Sequence, residues 1–588
     1  MQNYYGNLLK LSFRYGHEVR GRMIGHYVLF VFANIMEMLE PFTLALLFNT
    51  IQQGGEGYLN RVILYLGIYA SLSFFFWIFH GPARVMERHT SFHISKKFSE
   101  ALYTIISRLP LAWHKDNHSG DVISRVNKAT HALHEFTDNT YTYVNTIAKF
   151  ILSLGAILYI MPKFGFIALF AGVGVVAIIF RFDKYLVRNL EQVNLETHRY
   201  ESTLFDYITN IGTIITLRIE KLTQLEVTKK FLKIFPPYKK NIVVNEVKWF
   251  IVSMGLAFLT FAILLIFIFQ EYKTGQVILI GNLMALFQYT SRFVDVFFRL
   301  AWQYEQLVWF STDVQSVAPI LAAGERYLGD REKPQRIKQW TEIEIKNLHF
   351  KYEDESQRVH TLKNINLTLN KGAKIALVGE SGSGKTTLMG ILRGLYQPDR
   401  AQLRVDGKLF KHFESLNDKV TLIPQEPEIF ENTIEYNITA GVKTSRELLE
   451  KVVTMARFKA VLERLPSKYK THIKEKGVNL SGGEKQRLAL ARGILAAMNS
   501  DIVIMDEPTS SMDARNEAHI YENIFREFTD KCIVSSVHRL HLLKQFDRIY
   551  YFEDGQIVAN GTFEQVLEQS PRFKKLYEKY VQAAKVTD

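Results

Sequence analysis

Cysteine is nearly missing from this 588-residue chain, where Cys532 stands alone. A single thiol excludes an intramolecular disulfide and any multi-cysteine metal site. It lies in the apolar run Cys532-Ile533-Val534, which reads as a buried strand. No cleavable signal peptide is expected either. Lys10, Arg14, Arg20 and Arg22 precede an apolar stretch that runs far past a signal core and carries no recognisable cleavage site, so it reads as a retained anchor. Even a net membrane signature is missing, since the mean hydropathy is only -0.03. That average conceals two unlike halves, and a chain of this length divides into at least two domains.

The first half is apolar. Stretches at 23–48, 62–82, 141–161, 164–181, 247–270 and 276–298 approach or exceed the roughly 20 residues that a helix needs to cross a hydrocarbon core. FAILLIFIF (261–269) and FIALFAGVGVVAIIF (166–180) show none of the polar face that buried helices of a soluble bundle keep. Six membrane-spanning helices are expected, with the turn between the third and fourth near Met161-Pro162-Lys163.

The net charge of +13 has two readings, a nucleic-acid partner or cytoplasmic membrane loops. Position decides between them. Arg84, Arg88, Lys96, Lys97, Arg108, Lys115, Arg125 and Lys128 lie between the second and third stretches, and a longer basic series, from Arg181 to Lys240, between the fourth and fifth. The opposite loops hold only Arg61, Lys163 and Lys273. The basic loops, both termini and everything after residue 300 are therefore expected on the cytoplasmic side, with no nucleic-acid partner. These long connections are poor in Pro and Gly and rich in helix formers, so the membrane helices are expected to continue into the cytoplasm, turn and return. Asn117-His118-Ser119-Gly120 and Asn210-Ile211-Gly212 are the turn candidates, read either as plain loops or as contacts that carry force from a cytoplasmic domain.

The second half reads as mixed α/β. Ala322–Arg336 is polar and broken by Gly and Pro, a linker between domains expected at 23–321 and 341–588, with 1–22 as a separate amphipathic segment and 322–340 as the linker region. IEIKNLHFKY (343–352) alternates like a strand. KIALVG (374–379) ends in Gly379-Glu380-Ser381-Gly382-Ser383-Gly384-Lys385-Thr386, followed by Thr387 at the start of the helical stretch TLMGILRGLY. This is a phosphate loop in its proper strand-to-helix setting. Glycines let backbone N–H groups converge on phosphate oxygens at a helix N-terminus, Lys385 reaches the β- and γ-phosphates, and the Thr386 hydroxyl can ligate Mg²⁺. DIVIMDEP (501–508) is an apolar strand ending in two acids, with Asp506 placed to hold Mg²⁺ and Glu507 to polarise an attacking water.

LSGGEKQR (480–487) makes the reading specific. From 341 to about 570 the chain resembles the nucleotide-binding domain of ABC proteins, and with six spans ahead of it the whole resembles an ABC exporter half-transporter. The resemblance implies an α-helical membrane domain plus an α/β P-loop ATPase domain. It also implies ATP and Mg²⁺ as cofactors and an ATPase coupled to transport by alternating access. The partner implied is a second copy, or a related half-transporter, because Ser481, Gly482 and Gly483 would contact the γ-phosphate bound by another subunit. By the same resemblance Tyr352 stacks on adenine, Gln425 touches Mg²⁺, Asp513 links the two sites and His538 contacts the γ-phosphate. Two departures are visible. Glu484 stands where the family has Gln, which implies tuned activity, and Lys474-Glu475-Lys476-Gly477 lacks the first glycine of a Gly-Glu-x-Gly pattern. The catalytic set, Lys385, Glu507 and His538 with Asp506, Gln425 and Ser481, is complete.

Charged residues inside spans are functional candidates. Asn34, Glu37 and Glu40 share a helix face, as do Arg292, Asp295 and Arg299. They read either as a polar cavity for an amphiphilic cargo or as structural pairs. Membrane lipids and an unidentified substrate are the remaining partners, and a prokaryotic cytoplasmic membrane is the expected location. An importer on the same architecture and an ATP-gated channel or receptor are the alternatives.

Overall fold

Apolar runs without a polar face form helices of unusual length. The computed structural model describes residues 4–160, 162–275, 277–329, 335–353, 359–426, 428–474 and 480–587. The chain divides into two units, Met1–Arg108 with His118–Arg326, and Leu109–Asn117 with Tyr327–Asp588.

The first unit is all helical: α1 (Tyr4–Tyr15), α2 (Arg20–Gln53), α3 (Tyr58–Ile106), α5 (Ser119–Asp138), α6 (Thr140–Ile160) and α7 (Pro162–Thr209). It continues with α8 (Ile211–Leu217), α9 (Glu220–Leu232), α10 (Phe235–Thr274), α11 (Ile280–Gln315) and α12 (Ala318–Leu328). The short α4 (Leu111–Asp116) belongs to the second unit. At 49 residues α3 extends about 70 Å, more than twice a hydrocarbon core. The expected continuation of membrane helices beyond the bilayer is thus present in α3 and in the 48-residue α7.

Five helical stretches among the described residues are long and apolar enough to span a membrane: His17–Gln53, Tyr58–Ile106, Thr140–Ile160, Gly165–Thr209 and Glu220–Thr274. The sixth apolar stretch forms α11, which falls below that mark because Arg292, Asp295 and Arg299 dilute it. On α10 the buried residues Val252, Leu256, Leu259, Ile263 and Phe267 repeat at helical spacing and pack into one core with Leu286, Phe293 and Phe297 of α11. Gly281 lets α11 close on α2, since a Cβ there would stand 2.0 Å from the Ala45 carbonyl.

Of the two turn candidates, residues 118–120 and 210–212 stay with the first unit, whereas Asn117 groups with the second. The expected linker is partly helical, because α12 runs through Ala322–Leu328 and seats Gly324 against Ile105.

The second unit holds two sheets. An antiparallel sheet has the order β2-β1-β4-β5, with β1 Glu342–Glu353, β2 Val359–Asn370, β4 Arg400–Val405 and β5 Lys408–Phe410. The larger has the order β10-β9-β3-β8-β7-β6, with β3 Lys374–Gly379, β6 Val420–Ile423, β7 Ile502–Met505, β8 Cys532–Ser536, β9 Arg548–Glu553 and β10 Gln556–Gly561. Strands β9, β3, β8, β7 and β6 run parallel. Their apolar composition follows from covering both faces. Ile375 and Leu377 of β3 face the core shared with β1 and β2, while Ala376 and Val378 face a second core packed with helices.

Those helices are α14 (Ile434–Thr439), α15 (Arg446–Met455), α16 (Lys459–Arg464), α17 (Gly482–Ala497), α18 (Ala514–Glu527), α19 (Phe563–Gln569) and α20 (Pro571–Thr587), whereas α13 (Lys385–Leu392) packs into the core shared with β1 and β2 through Leu388, Met389, Ile391 and Leu392. Helix α13 stops before the expected 396. Gly394 turns left-handed at φ 77°, where a Cβ would stand 2.2 Å from Asn417 Oδ1.

Candidate functional site

Four adjacent parallel strands, β3, β8, β7 and β6, deliver the predicted chemistry to one edge. At their carboxyl ends lie the loop after Gly379, Ser536 and His538, Asp506 and Glu507, and Gln425. Open parallel sheets bind ligands at this edge.

The loop Gly379–Thr386 is shaped by backbone that side chains would obstruct. Gly384 has φ 104° and its missing Cβ would fall 2.4 Å from Leu362. The Lys385 ammonium folds under the loop, donating to the carbonyls of Gly379 (2.8 Å) and Glu380 (2.9 Å). Burial pushes this ammonium below its ordinary range, while the carboxylates of Glu507 and Asp506 pull it back up. Glu380, Ser381, Gly382 and Thr386 are exposed, Thr387 is half-buried and Ser383 is buried.

Asp506 is buried and accepts the Ser536 hydroxyl at 2.8 Å. Glu507 has φ 42°, a left-handed backbone that is strained for this residue, and its N–H donates to Ser536 Oγ over 2.8 Å. Its two carboxylate oxygens are both engaged: Gln425 Nε2 donates to Oε2 at 2.9 Å, and His538 Nε2 meets Oε1. Gln425, Asp506, Glu507 and His538, distant in sequence, thus form one cluster. Ser536, which joins both acids, was missed by sequence reasoning. Its only signal is its place in the Ser535-Ser536-Val537-His538 strand end.

Ser481 is the N-cap of α17 and forms a capping box with Glu484. The Ser481 hydroxyl accepts the Glu484 N–H, and the Glu484 carboxylate accepts the Ser481 N–H at 2.9 Å and pairs with Arg464. Burial raises the Glu484 carboxyl, but the Ser481 donors and Arg464 outweigh it and hold the group below its ordinary range. Gly482 and Gly483 follow in the first turn of α17. Gln486, one turn on, ties α17 to the loop after Glu507 through Ser510 (2.9 Å) and Ser511 N–H (3.0 Å). Asp513 caps α18, and the backbone N–H and side chain of Asn516 hold its carboxyl low. Residues 475–477 of the departing Lys474–Gly477 stretch lie outside the described residues.

Tyr352, on β1, lies 6.0 Å from Tyr396 with the rings 12° from parallel, and Phe350 completes the group. Lys115, from the segment that joins this unit, donates to the Tyr396 hydroxyl at 3.1 Å.

In the membrane unit, Asn34, Glu37, Glu40 and Arg292 come together, whereas Asp295 and Arg299 pair with each other along α11 at 2.6 Å. Two residues of α6 that sequence reasoning left out complete the group. Asn145 donates to Asn34 (2.6 Å) and Glu37 (3.1 Å), and Lys149 pairs with Glu37 at 3.2 Å. Arg292 reaches the Glu37 carbonyl (2.7 Å) and the Glu40 carboxylate (3.4 Å). A lysine inside the third apolar stretch was itself the missed signal.

The residues fit a nucleoside triphosphate with Mg²⁺. Thr386, Gln425 and Asp506 offer the hard oxygen donors that Mg²⁺ takes. Among the described residues no cluster of three or more His, Cys, Asp or Glu side chains is gathered for a metal.

Comparison with known proteins gives the same division. Residues 23–291 match the model described as ABC transporter transmembrane region, and residues 362–510 the model described as ABC transporter. The chain is 24% identical over 579 residues to the uncharacterized ABC transporter ATP-binding protein YfiC of Bacillus subtilis, covering 97% of this chain and 94% of that one. It is 34% identical over 253 residues to ABC transporter B family member 24, mitochondrial, of Arabidopsis thaliana, covering 42% of this chain and 36% of the relative. The chain spans less than half the length of the first curated relatives it matches. Its fold is similar to the solved structure of a bacterial Atm1-family ABC exporter with ATP bound, with a TM-score of 0.81 at 20% identity, covering 95% of this chain and 99% of that one.

Proposed function

This chain belongs to the ABC transporter family, and from that premise we propose that it is one half of a dimeric, ATP-driven exporter of an amphiphilic cargo. It is an integral membrane protein, and we place it in a prokaryotic cytoplasmic membrane with both termini on the cytoplasmic side. The observation that carries the reading is the cluster at the carboxyl ends of the parallel strands, where Glu507 is held from both sides beside Asp506.

Lys385 and the N–H groups of Gly379–Thr387 bind and orient the phosphates, and Tyr352 receives the adenine. Thr386, Asp506 and Gln425 hold Mg²⁺, which supplies neutralisation of phosphate charge when bound. Glu507 accepts the proton of the attacking water, and its carboxylate is aimed by Gln425 and His538. Ser481, Gly482 and Gly483 meet the phosphate bound by a second copy, with Asp513 at the same face. Each site then needs both subunits, and a C2 homodimer is the simplest closed arrangement. Cargo contact belongs to the seam of Asn34, Glu37, Glu40 and Arg292, whose charged members keep about a fifth of their side-chain surface exposed. Asp295 and Arg299 flank it on α11.

The test is Mg²⁺-dependent ATP hydrolysis by the chain alone in lipid nanodiscs, beside Glu507→Gln. Turnover abolished by the substitution supports a self-sufficient homodimer with this catalytic base. Turnover that survives it removes Glu507 from that role. Cargo-dependent transport in inside-out vesicles then reads direction, and movement out of the vesicle lumen would replace export by import.

A further inference from the structure

The N-terminus of α17 carries a charge that a phosphate-facing segment should not tolerate. Ser481 stands at φ -67° and ψ 162°, with its hydroxyl oxygen accepting the Glu484 N–H. The oxygen is thereby occupied as an acceptor and the hydroxyl proton is left to point outward as a donor. The capping box thus prepares Ser481 to meet an anion. The same box places a carboxylate against the Ser481 N–H at 2.9 Å, close to where that anion would sit. A glutamine could make the same cap without the charge, because its amide oxygen accepts as well.

Arg464, the last residue of α16, answers the charge. Its guanidinium pairs with the second Glu484 oxygen, so each oxygen has its own partner. The Glu484 side chain retains only 15% of its exposure while Arg464 keeps 68%, so the arginine comes to the acid from the solvent side. Without it the helix end would present a bare carboxylate beside the three phosphate-facing residues.

We propose that Arg464 is a positioning residue for the nucleotide site completed across the dimer: by neutralising Glu484 it lets Ser481, Gly482 and Gly483 accept the phosphate held by the second copy. This rests on the functional reading above. A charge at the first turn of a helix alters anion binding there modestly, so Arg464→Ala is expected to raise KM for MgATP about three- to tenfold. Its kcat stays within about twofold, because no catalytic group is touched. Glu484→Gln added to Arg464→Ala returns KM to that of Glu484→Gln alone. Raised salt narrows the gap between wild type and Arg464→Ala.

The experiment uses the full chain in nanodiscs. Arg464→Lys, which keeps the charge, serves as a second variant should Arg464→Ala fold poorly, and is expected to hold KM near the wild-type value while Arg464→Gln raises it. An unchanged KM in Arg464→Ala, or a double variant as impaired as Arg464→Ala, overturns the inference. A fall in kcat and in melting temperature without a KM change means a structural role only. The Glu507→Gln control separates the two failures. Loss of turnover there with an unaltered KM in Arg464→Ala sinks this inference alone, whereas turnover surviving Glu507→Gln sinks the catalytic reading. Where wild-type turnover is too slow to measure, MgATP retention in the Glu507→Gln background reads the same order of variants.

Discussion

Ser536 donates its hydroxyl to Asp506 Oδ1 over 2.8 Å, from the end of the strand next to the one that carries the acid. Ser536 Oγ in turn accepts the Glu507 N–H and so holds that residue in its left-handed backbone. One hydroxyl therefore positions both carboxylates. Ser536→Ala is expected to lower kcat at least about tenfold and to cost about 1–3 kcal/mol of stability, since the buried Asp506 oxygen and the Glu507 N–H lose their partner. Steady-state hydrolysis and thermal unfolding check the two effects, and unchanged values in both would mean that the hydroxyl positions neither acid.

Tyr396 backs Tyr352 in a near-parallel pair. If Tyr352 receives adenine, its ring orientation depends on that support. Aromatic pairs contribute about 0.5–1.5 kcal/mol beyond area burial, so Tyr396→Ala should weaken MgATP binding about two- to tenfold. Tyr396→Phe keeps the ring but loses the Lys115 hydrogen bond, and should bind nucleotide as wild type does. Equilibrium titration with a fluorescent nucleotide distinguishes them; equal affinity in wild type and Tyr396→Ala would exclude the support role.

Glu37 and Lys149 form an ion pair across α2 and α6, with 23% and 12% of their side-chain surfaces exposed. Removing one partner leaves the other charge poorly solvated. Lys149→Met is expected to cost about 1–3 kcal/mol, less than a fully buried pair because Glu37 is partly exposed. Glu37→Gln added to it should recover part of the loss. Melting temperatures in detergent measure both, and a double variant no more stable than Lys149→Met would argue against the pairing.

Cys532 is wholly buried on β8, and that burial pushes its thiol up to about 12, with Lys374 opposing only in part. The thiolate is the reactive form, so at pH 8 the native protein has almost none of it. Iodoacetamide should leave the native chain unmodified and alkylate it once in denaturant, as mass spectrometry would record. Rapid native labelling would mean that β8 opens.

The phosphate loop, the acidic strand end and the LSGG segment were legible because their chemistry is written in contiguous residues. Each combines a local pattern with a local backbone need, as at Gly384, where no side chain fits. The spans were legible for a similar reason, since a helix in hydrocarbon must be apolar along its own length. The sixth was the marginal case, as α11 mixes the core residues Phe293 and Phe297 with Arg292, Asp295 and Arg299.

Ser536, Arg464, Tyr396 and Asn145 carried no comparable signal, whereas Lys149, a charge inside an apolar stretch, did. A serine in a strand or an arginine at a helix end is chemically ordinary until the fold supplies its partner. Ser536 meets Asp506 only because β8 pairs in parallel with β7, and Arg464 meets Glu484 only because α16 ends beside the start of α17. The sequence by itself determined which chemistry is present, because residue type and local backbone freedom are properties of short segments. Only the tertiary structure decided which groups orient and neutralise one another, because hydrogen bonds and ion pairs between distant segments depend on distances of a few ångströms that strand order and helix packing set.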